Sequence, residues 1–143
     1  MYYMVAPTNV RLAERVESSL KSFAQRTAQT KSSVINTAVS EWLAVEAHPR
    51  IRFVQNVTGE RRAALIDGPE VWTVAEAWLS HGKQEREVEI VAEAIGLAPD
   101  LVEAALAYWG DFRDEIDGVI ERHRLAQDEA LAAWERRQAL ADA

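Results

Sequence analysis

Residues 7–12 form a single alternating segment with no second strand near it in the sequence. The two sides of this extended segment carry Thr8, Val10 and Leu12 on one face, and Pro7, Asn9 and Arg11 on the other. An isolated strand leaves its backbone N–H and C=O groups unpaired. We therefore expect it to pair, antiparallel, with the same strand of a second chain, which would make a two-stranded ribbon across a dimer axis.

Two amphipathic helices are predicted directly after this strand, the first over residues 13–29 and the second beginning near residue 30. Their apolar side chains, at helical spacing, are Val16, Leu20, Phe23 and Ala24 in the first, and Val34, Ile35, Ala38, Val39, Trp42 and Leu43 in the second. One helical hairpin cannot cover faces this wide. Burial across a dimer should contribute about 1.5 to 3 kcal/mol for each large side chain, so folding and dimerisation should be coupled.

The outward side of the ribbon and the start of the second helix are candidate DNA contacts. Asn and Arg are the residue types that read adenine and guanine edges, so we predict that Pro7, Asn9 and Arg11 face the bases. A helix N-terminus with polar caps and a lysine suits phosphate, so we predict phosphate contacts from Lys31, Ser32 and Ser33. The alternative is that the serines only cap the helix and that the strand residues only solubilise an edge.

The runs TNVRLAERV and TKSSVINTAVSEWL resemble the ribbon-helix-helix repressors of the Arc, MetJ and CopG class. The resemblance covers about the first third of the chain, and Pro7 departs from the polar reader usual at its position. It implies a homodimer whose ribbon enters the major groove of operator DNA.

Charge divides the chain into two halves. Residues 1–47 carry five Lys/Arg against four Asp/Glu, whereas residues 48–143 carry eleven against nineteen, within a total net charge of −7. DNA therefore suits the first half and a different partner the second. The chain has no cysteine, no secretory signal pattern and no apolar run long enough to span a bilayer, so we expect a cytoplasmic protein without membrane contact.

The second half is predicted to be a small hairpin followed by helices. His48-Pro49 marks a boundary near residue 47; strands are expected at residues 50–54 and 61–66, and helices at 71–80, 88–95, 99–108 and from about 115. Trp72, Trp78 and Trp109 are expected to pack in the core. The predicted fold class is mainly α (α+β), with domains at residues 1–47 and 48–115 and a helical tail at 116–143.

The blocks HPRIRF, TGERRAAL, GPEVW, IVAEAIGL and APDLVEAALAYW resemble domain-of-unknown-function family 433, known from antitoxins of bacterial toxin-antitoxin operons. The order of helices also resembles a helix-turn-helix unit. Its second helix carries Asp100 and Glu103 without Lys or Arg, which phosphates would repel, so we expect a core and protein-contact role.

The last helix offers a candidate partner-binding surface at Leu131, Trp134 and Leu140. The alternative is that this helix packs on its own domain or on the other chain of the dimer. The antitoxin resemblance implies a cognate toxin as partner, such as a PIN-like ribonuclease, and an acidic second half suits a basic toxin.

The sequence gives no sign of catalysis. His48, His81 and His123 stand alone, and the carboxylates Asp111, Asp114, Glu115 and Asp117 are those of a solvated helix start. No phosphate-binding glycine loop or nucleophile elbow is present. We therefore expect no enzyme, no metal and no cofactor.

The sequence thus predicts a dimeric ribbon-helix-helix repressor that is the antitoxin of a type II toxin-antitoxin system, regulating its own operon through its first half and neutralising a toxin through its second. Two alternatives stay open. One is a transcription or plasmid-maintenance regulator without a toxin, and the other is a protein-binding adaptor that never touches DNA.

Overall fold

The computed structural model describes residues 6–143, which form a mainly helical protein with one small antiparallel sheet. The expected mainly α class is confirmed at this level. The chain divides into two compact units, Met1–Leu43 and Ala44–Ala143.

The first unit contains helix α1, Glu14–Arg26, and most of helix α2, Lys31–Ala47. α1 was predicted to continue to residue 29 and ends three residues earlier. The cause is a left-handed turn: Ala28 has φ 54°, the Gln29 N–H donates to the Ala24 carbonyl at 2.9 Å, and the Ala28 N–H donates to the Gln25 carbonyl at 3.4 Å. These two hydrogen bonds form a Schellman motif, which satisfies the last carbonyls of the helix and turns the chain away.

Helix α2 begins directly after Thr30, whose hydroxyl accepts a hydrogen bond of 3.0 Å from the Ser33 N–H. Thr30 is therefore its N-cap, as the run of capping residues predicted. The helix ends at Ala47, where His48-Pro49 was expected to stop it.

The second unit opens with a hairpin of strands β1, Ile51–Gln55, and β2, Arg61–Leu65, in the antiparallel register Phe53 to Ala63. The Asn56 side-chain oxygen shapes the turn, because it accepts hydrogen bonds from the Thr58 N–H at 3.1 Å and from the Glu60 N–H at 2.9 Å. This is the hairpin expected from the sequence; β1 is shifted by one residue from its predicted range 50–54, and β2 ends one residue before its predicted end at residue 66.

Four helices complete the second unit: α3, Val71–Ser80; α4, Val88–Ile95; α5, Pro99–Asp111; and α6, Arg113–Ala141. A short 3-10 helix, Lys83–Glu85, which was not predicted, precedes α4. α3 is central, since it packs against β2, α4, α5 and α6. α4 is capped at its C-terminal end by Gly96, whose φ of 68° suits a residue without a Cβ.

The core of the second unit is built from both the hairpin and the helices. Its fully buried large side chains are Ile51, Leu65, Val71, Val74, Val91, Val102 and Tyr108. Trp72 and Trp109 are buried and Trp78 is partly buried against this core, as expected. α5 extends three residues beyond its predicted end, and Phe112 separates it from α6.

Helix α6 contributes to the core only near its start. Ile116 and Val119 are buried, Arg122 pairs with Glu60, and the ring of His123 lies 4.5 Å from that of Trp72. The predicted boundary between the second domain and the tail, at residue 116, thus falls within α6, next to residues that belong to the core. Residues 124–141 continue for about 27 Å as helix, with every leucine and tryptophan on them exposed.

Candidate nucleic-acid and partner interfaces

The predicted base-reading residues lie in a segment without regular structure in the single chain. Residues 6–13 belong to no helix or sheet, and Pro7, Asn9 and Arg11 are all exposed. Thr8 and Val10, expected to turn inward in a ribbon, are exposed too, while Leu12 is partly buried. The ribbon requires a second chain, so strand pairing and base reading stay predictions.

The predicted phosphate contacts lie together on the first turn of α2. Lys31, Ser32 and Ser33 are exposed, and the Ser33 N–H is already satisfied by Thr30. Backbone N–H groups of a first turn have no acceptor within their helix, which leaves those of Lys31 and Ser32 at the open end. The Lys31 ammonium forms an ion pair with Glu17 of α1, so part of its charge is neutralised within the first unit.

The first unit exposes the apolar side chains that were expected to be buried across a dimer. Trp42 is 66% exposed, and the other exposed large apolar side chains of this unit are Val10, Val16, Phe23, Ile35, Val39 and Leu43. Ala24 is the buried residue of α1, and Leu20 and Val34 are partly buried. A single copy of this unit therefore leaves most of its apolar surface uncovered.

A charged cluster joins the hairpin to α6 in the second unit. The Glu60 carboxylate accepts hydrogen bonds from Arg62 at 3.0 Å and from Arg122 at 2.6 Å. The hydrogen bond from Arg62, together with the positive charges of both arginines, lowers the pKa of Glu60. This cluster was not predicted, because its partners lie far apart in sequence and no local spacing announces them.

The same cluster borders a cleft of about 180 Å³ lined by β2, α3 and α6. Its charged groups are balanced, with Arg61, Arg62 and Arg122 against Glu60, Asp114 and Glu115. Small-molecule sites usually measure about 300 to 1,000 Å³, so this cleft is small for one. Three buried polar atoms nearby, Arg62 Nε, Glu70 Oε1 and Trp72 Nε1, have no hydrogen-bond partner among the described residues.

The carboxylates near the start of α6 are engaged with neighbouring side chains. Tyr108 donates to Glu115 at 2.6 Å, Trp109 donates to Asp117 at 2.7 Å, and His48 lies 2.7 Å from Asp111. Over residues 6–143, no group of three or more His, Asp or Glu side chains is arranged to hold a metal ion. The first two contacts tie α5 to α6, and the third ties His48, directly after α2, to the end of α5.

A carboxylate at the start of α5 is also paired. Asp100, at its first turn, forms an ion pair with Arg50, and the hydrogen bond from Arg50 lowers the pKa of this carboxyl. The N-terminus of α5 thus carries a carboxylate, whereas a DNA-reading helix would need to meet phosphates there.

The predicted partner-binding residues on α6 do not share one face. Leu131 and Trp134, 55% and 51% exposed, are three residues apart and lie side by side. Leu140 is six residues beyond Trp134, which places it about 120° round the helix. Leu131 and Trp134 continue the face that carries Ile116 and Ile120 at the start of α6.

A feature of α6 that sequence reasoning overlooked is a regular line of carboxylates. Acidic residues recur every seven positions at Glu121, Asp128, Glu135 and Asp142. Arg124 pairs with Glu121 at 2.5 Å and with Asp128 at 3.4 Å, and its hydrogen bond lowers the pKa of Glu121. A count of acidic residues at heptad spacing would have found this line from the sequence.

Comparisons with known proteins do not assign this arrangement to a family. No family model, no curated protein and no solved structure matches the chain. The ribbon-helix-helix and family 433 resemblances therefore stay predictions drawn from the motifs given above. Within residues 6–143, no helix has both the length and the apolar character needed to cross a membrane.

Proposed function

We propose that this protein is a dimeric DNA-binding repressor that also serves as the antitoxin of a type II toxin-antitoxin system. Its first unit would bind operator DNA, and its acidic second unit would bind and neutralise a toxin. The observation that carries the proposal is the exposed apolar surface of the first unit, which follows an extended segment with Asn9 and Arg11.

Exposed apolar surface of this extent supports dimerisation. Soluble monomers rarely leave a large contiguous apolar face in water, and α1 and α2 are preceded by a segment able to pair through its backbone. A second copy would cover Trp42 and its neighbours and pair residues 7–12 in the same step. The polar side of that ribbon would then carry Asn9 and Arg11 twice.

The first turn of α2 supports a phosphate contact. Its open N–H groups at Lys31 and Ser32, exposed in the structure, lie at the positive end of a helix dipole. Such contacts would orient the dimer on DNA, while Asn9 and Arg11 would supply the sequence preference.

A protein-binding adaptor is the competing candidate, and two observations favour it. The chain carries a net charge of −7, and the lysine best placed for phosphate is paired with Glu17. An adaptor would show no DNA affinity that falls with salt, whereas phosphate contacts make binding weaken steeply as salt rises.

The proposal is tested by selecting binding sites from a random duplex library with three forms of the full chain. These are the wild type, Asn9→Ala/Arg11→Ala, and Arg15→Ala as a control that removes one charge from α1 without altering the segment 7–12. We expect wild type and Arg15→Ala to enrich the same inverted repeat, and the double variant to enrich none.

Arg11→Ala alone should weaken specific binding by about 1 to 3 kcal/mol, the usual contribution of a bidentate base contact. No enrichment by any form would reject DNA binding and favour the adaptor. Enrichment of one site by all three forms would show that the DNA-binding surface lies outside residues 7–12.

A further inference from the structure

The exposed part of α6 combines two lines of side chains along its length. One is the apolar pair Leu131 and Trp134, and the other is the acidic line of Glu121, Asp128 and Glu135, which Asp142 continues directly after the helix. Side chains three and four positions apart are neighbours on a helix, so Asp128 and Glu135 both flank Leu131 on the same side. The apolar pair is therefore bordered by carboxylates on one side.

The opposite border of the apolar pair is different in character. Ala130 and Arg137 lie beside Trp134 there, four positions before it and three positions after it. Of the two borders of the apolar pair, only the first therefore carries carboxylates. A repeat of seven residues on one helix is the repeat with which two helices meet in a coiled coil, where charges beside the apolar seam choose the partner.

The apolar face of α6 is also continuous with a surface that is already packed. Ile116 is buried in the core, Ile120 packs against it, and His123 meets Trp72. Farther along the same face, Leu131 and Trp134 have no core of their own unit beneath them and are about half exposed. The helix thus keeps a core-facing pattern where its own unit offers no covering.

We propose that residues 124–142 form a docking surface for a helix of a partner protein, one that carries an apolar stripe bordered by Lys or Arg at seven-residue spacing. The inference deepens the partner-binding role of the second unit and rests on the proposed function for that role. Apolar contact would be made by Leu131 and Trp134. The acidic line would fix the partner's orientation and exclude helices with acidic borders.

A second copy of α6 is a poorer occupant of this surface. The apolar pair spans one heptad, whereas self-association through a coiled coil needs about three or four apolar heptads. In an antiparallel pair of α6 helices, the two acidic lines would also face each other and repel. A basic partner helix avoids this repulsion, and the carboxylates then add electrostatic attraction to the short apolar contact.

The test uses the full chain and three labelled synthetic helical peptides of about three heptads. All three carry the same leucine stripe, and they differ only in its border, which is lysine, glutamate or serine. Fluorescence anisotropy measures binding, and light scattering gives the mass of the chain alone. We expect the lysine-bordered peptide to bind at least about tenfold more tightly than the glutamate-bordered one.

Matched variants locate the surface. Leu131→Ala/Trp134→Ala should weaken binding of the lysine-bordered peptide at least about tenfold, while Leu125→Ala/Leu140→Ala, which removes exposed leucines about 120° to 180° away, should leave it unchanged. Glu135→Gln should weaken binding and its dependence on salt, whereas Glu129→Gln, on the far side of the helix, should not. Circular dichroism checks that each variant keeps its helix content.

Three results would overturn the inference. Equal binding of the three peptides would show that the surface does not select its partner by charge. Equal effects of Leu131→Ala/Trp134→Ala and Leu125→Ala/Leu140→Ala would show that the peptide does not bind at Leu131 and Trp134. A fall in mass caused by Leu131→Ala/Trp134→Ala would instead identify the surface as a contact between copies. Because these variants leave residues 7–33 intact, DNA selection by them still tests the repressor proposal separately.

Discussion

Ala28 holds a backbone conformation that its own side chain disfavours. A φ of 54° brings the Cβ of an L-residue close to the following carbonyl, and glycine is the residue usually found there. The next capping residue, Thr30, is the side chain best suited to its own position, since it closes the first turn of α2. The link between α1 and α2 thus combines one strained and one favourable residue.

Ala28→Gly should stabilise the protein, because removal of the Cβ relieves this strain. The left-handed conformation costs alanine roughly 1 to 2 kcal/mol, which glycine would not pay. Glycine, however, loses more backbone entropy on folding, which costs about 0.5 to 1 kcal/mol. We expect a net gain of about 0.5 to 1 kcal/mol, measured by denaturant unfolding at one fixed protein concentration. Ala28→Val should have the opposite effect, and stabilisation by both substitutions would contradict this reading of the turn.

Elements of the second unit were predictable where their signals are local. The helices at residues 71–80 and 88–95 have the expected bounds, because their apolar periodicity and the helix-ending Gly96 are signals within short stretches of sequence. The end of α1 was not predictable in the same way, since alanine gives no turn signal and only the Schellman hydrogen bonds reveal it. The Glu60 cluster was missed because it depends on α6 folding back beside the hairpin.

Glu60 gives an element-scale prediction, because its carboxylate joins the hairpin to α6 through Arg122. Its pKa is lowered in the folded protein from an ordinary value of 4.5, so the stability it contributes is present above that pH and is lost as the pH falls through the lowered pKa. The side chain is 37% exposed, so we expect about 0.2 to 1 kcal/mol at neutral pH.

The measurement is the free energy of unfolding of wild type and Glu60→Gln from pH 7 down to pH 3. The two curves should differ above about pH 4.5 and converge in acid. Glu129→Gln removes the same charge from an exposed site on α6 and should differ little from wild type throughout. A constant difference between wild type and Glu60→Gln at every pH would show that the ion pair is not its cause.

At the scale of the whole molecule, apolar and charged surface are assigned to different units. The first unit is nearly neutral and exposes its apolar side chains, while the second has its own core and carries the excess of acid. This division was predicted from the sequence, because the charges of the two halves and the apolar positions of the first two helices can both be counted in it. The sequence could not show that only the first turns of α6, at Ile116 and Val119, are buried in the core of the second unit.

Trp42→Ala tests the apolar surface of the first unit. If a second copy covers this side chain, its loss should cost about 1.5 to 3 kcal/mol in each chain and weaken the dimer at least about tenfold. Sedimentation equilibrium over a range of concentrations measures the dissociation constant. Trp134→Ala removes a tryptophan of similar exposure from α6 and should leave the dimer unchanged, so equal effects of both would contradict dimerisation through the first unit.

The part of α6 beyond His123, about 27 Å long, affects how long the chain resists proteolysis. Residues 124–141 bury no leucine or tryptophan, so this part of the helix can open without disturbing the core, and its local unfolding costs far less than unfolding of the whole unit. Peptide bonds beside Arg136 and Arg137 are then within reach of a protease long before the hairpin or α3 is. Occupation of α6 would close that route, and the lifetime of the protein would follow the supply of whatever covers it.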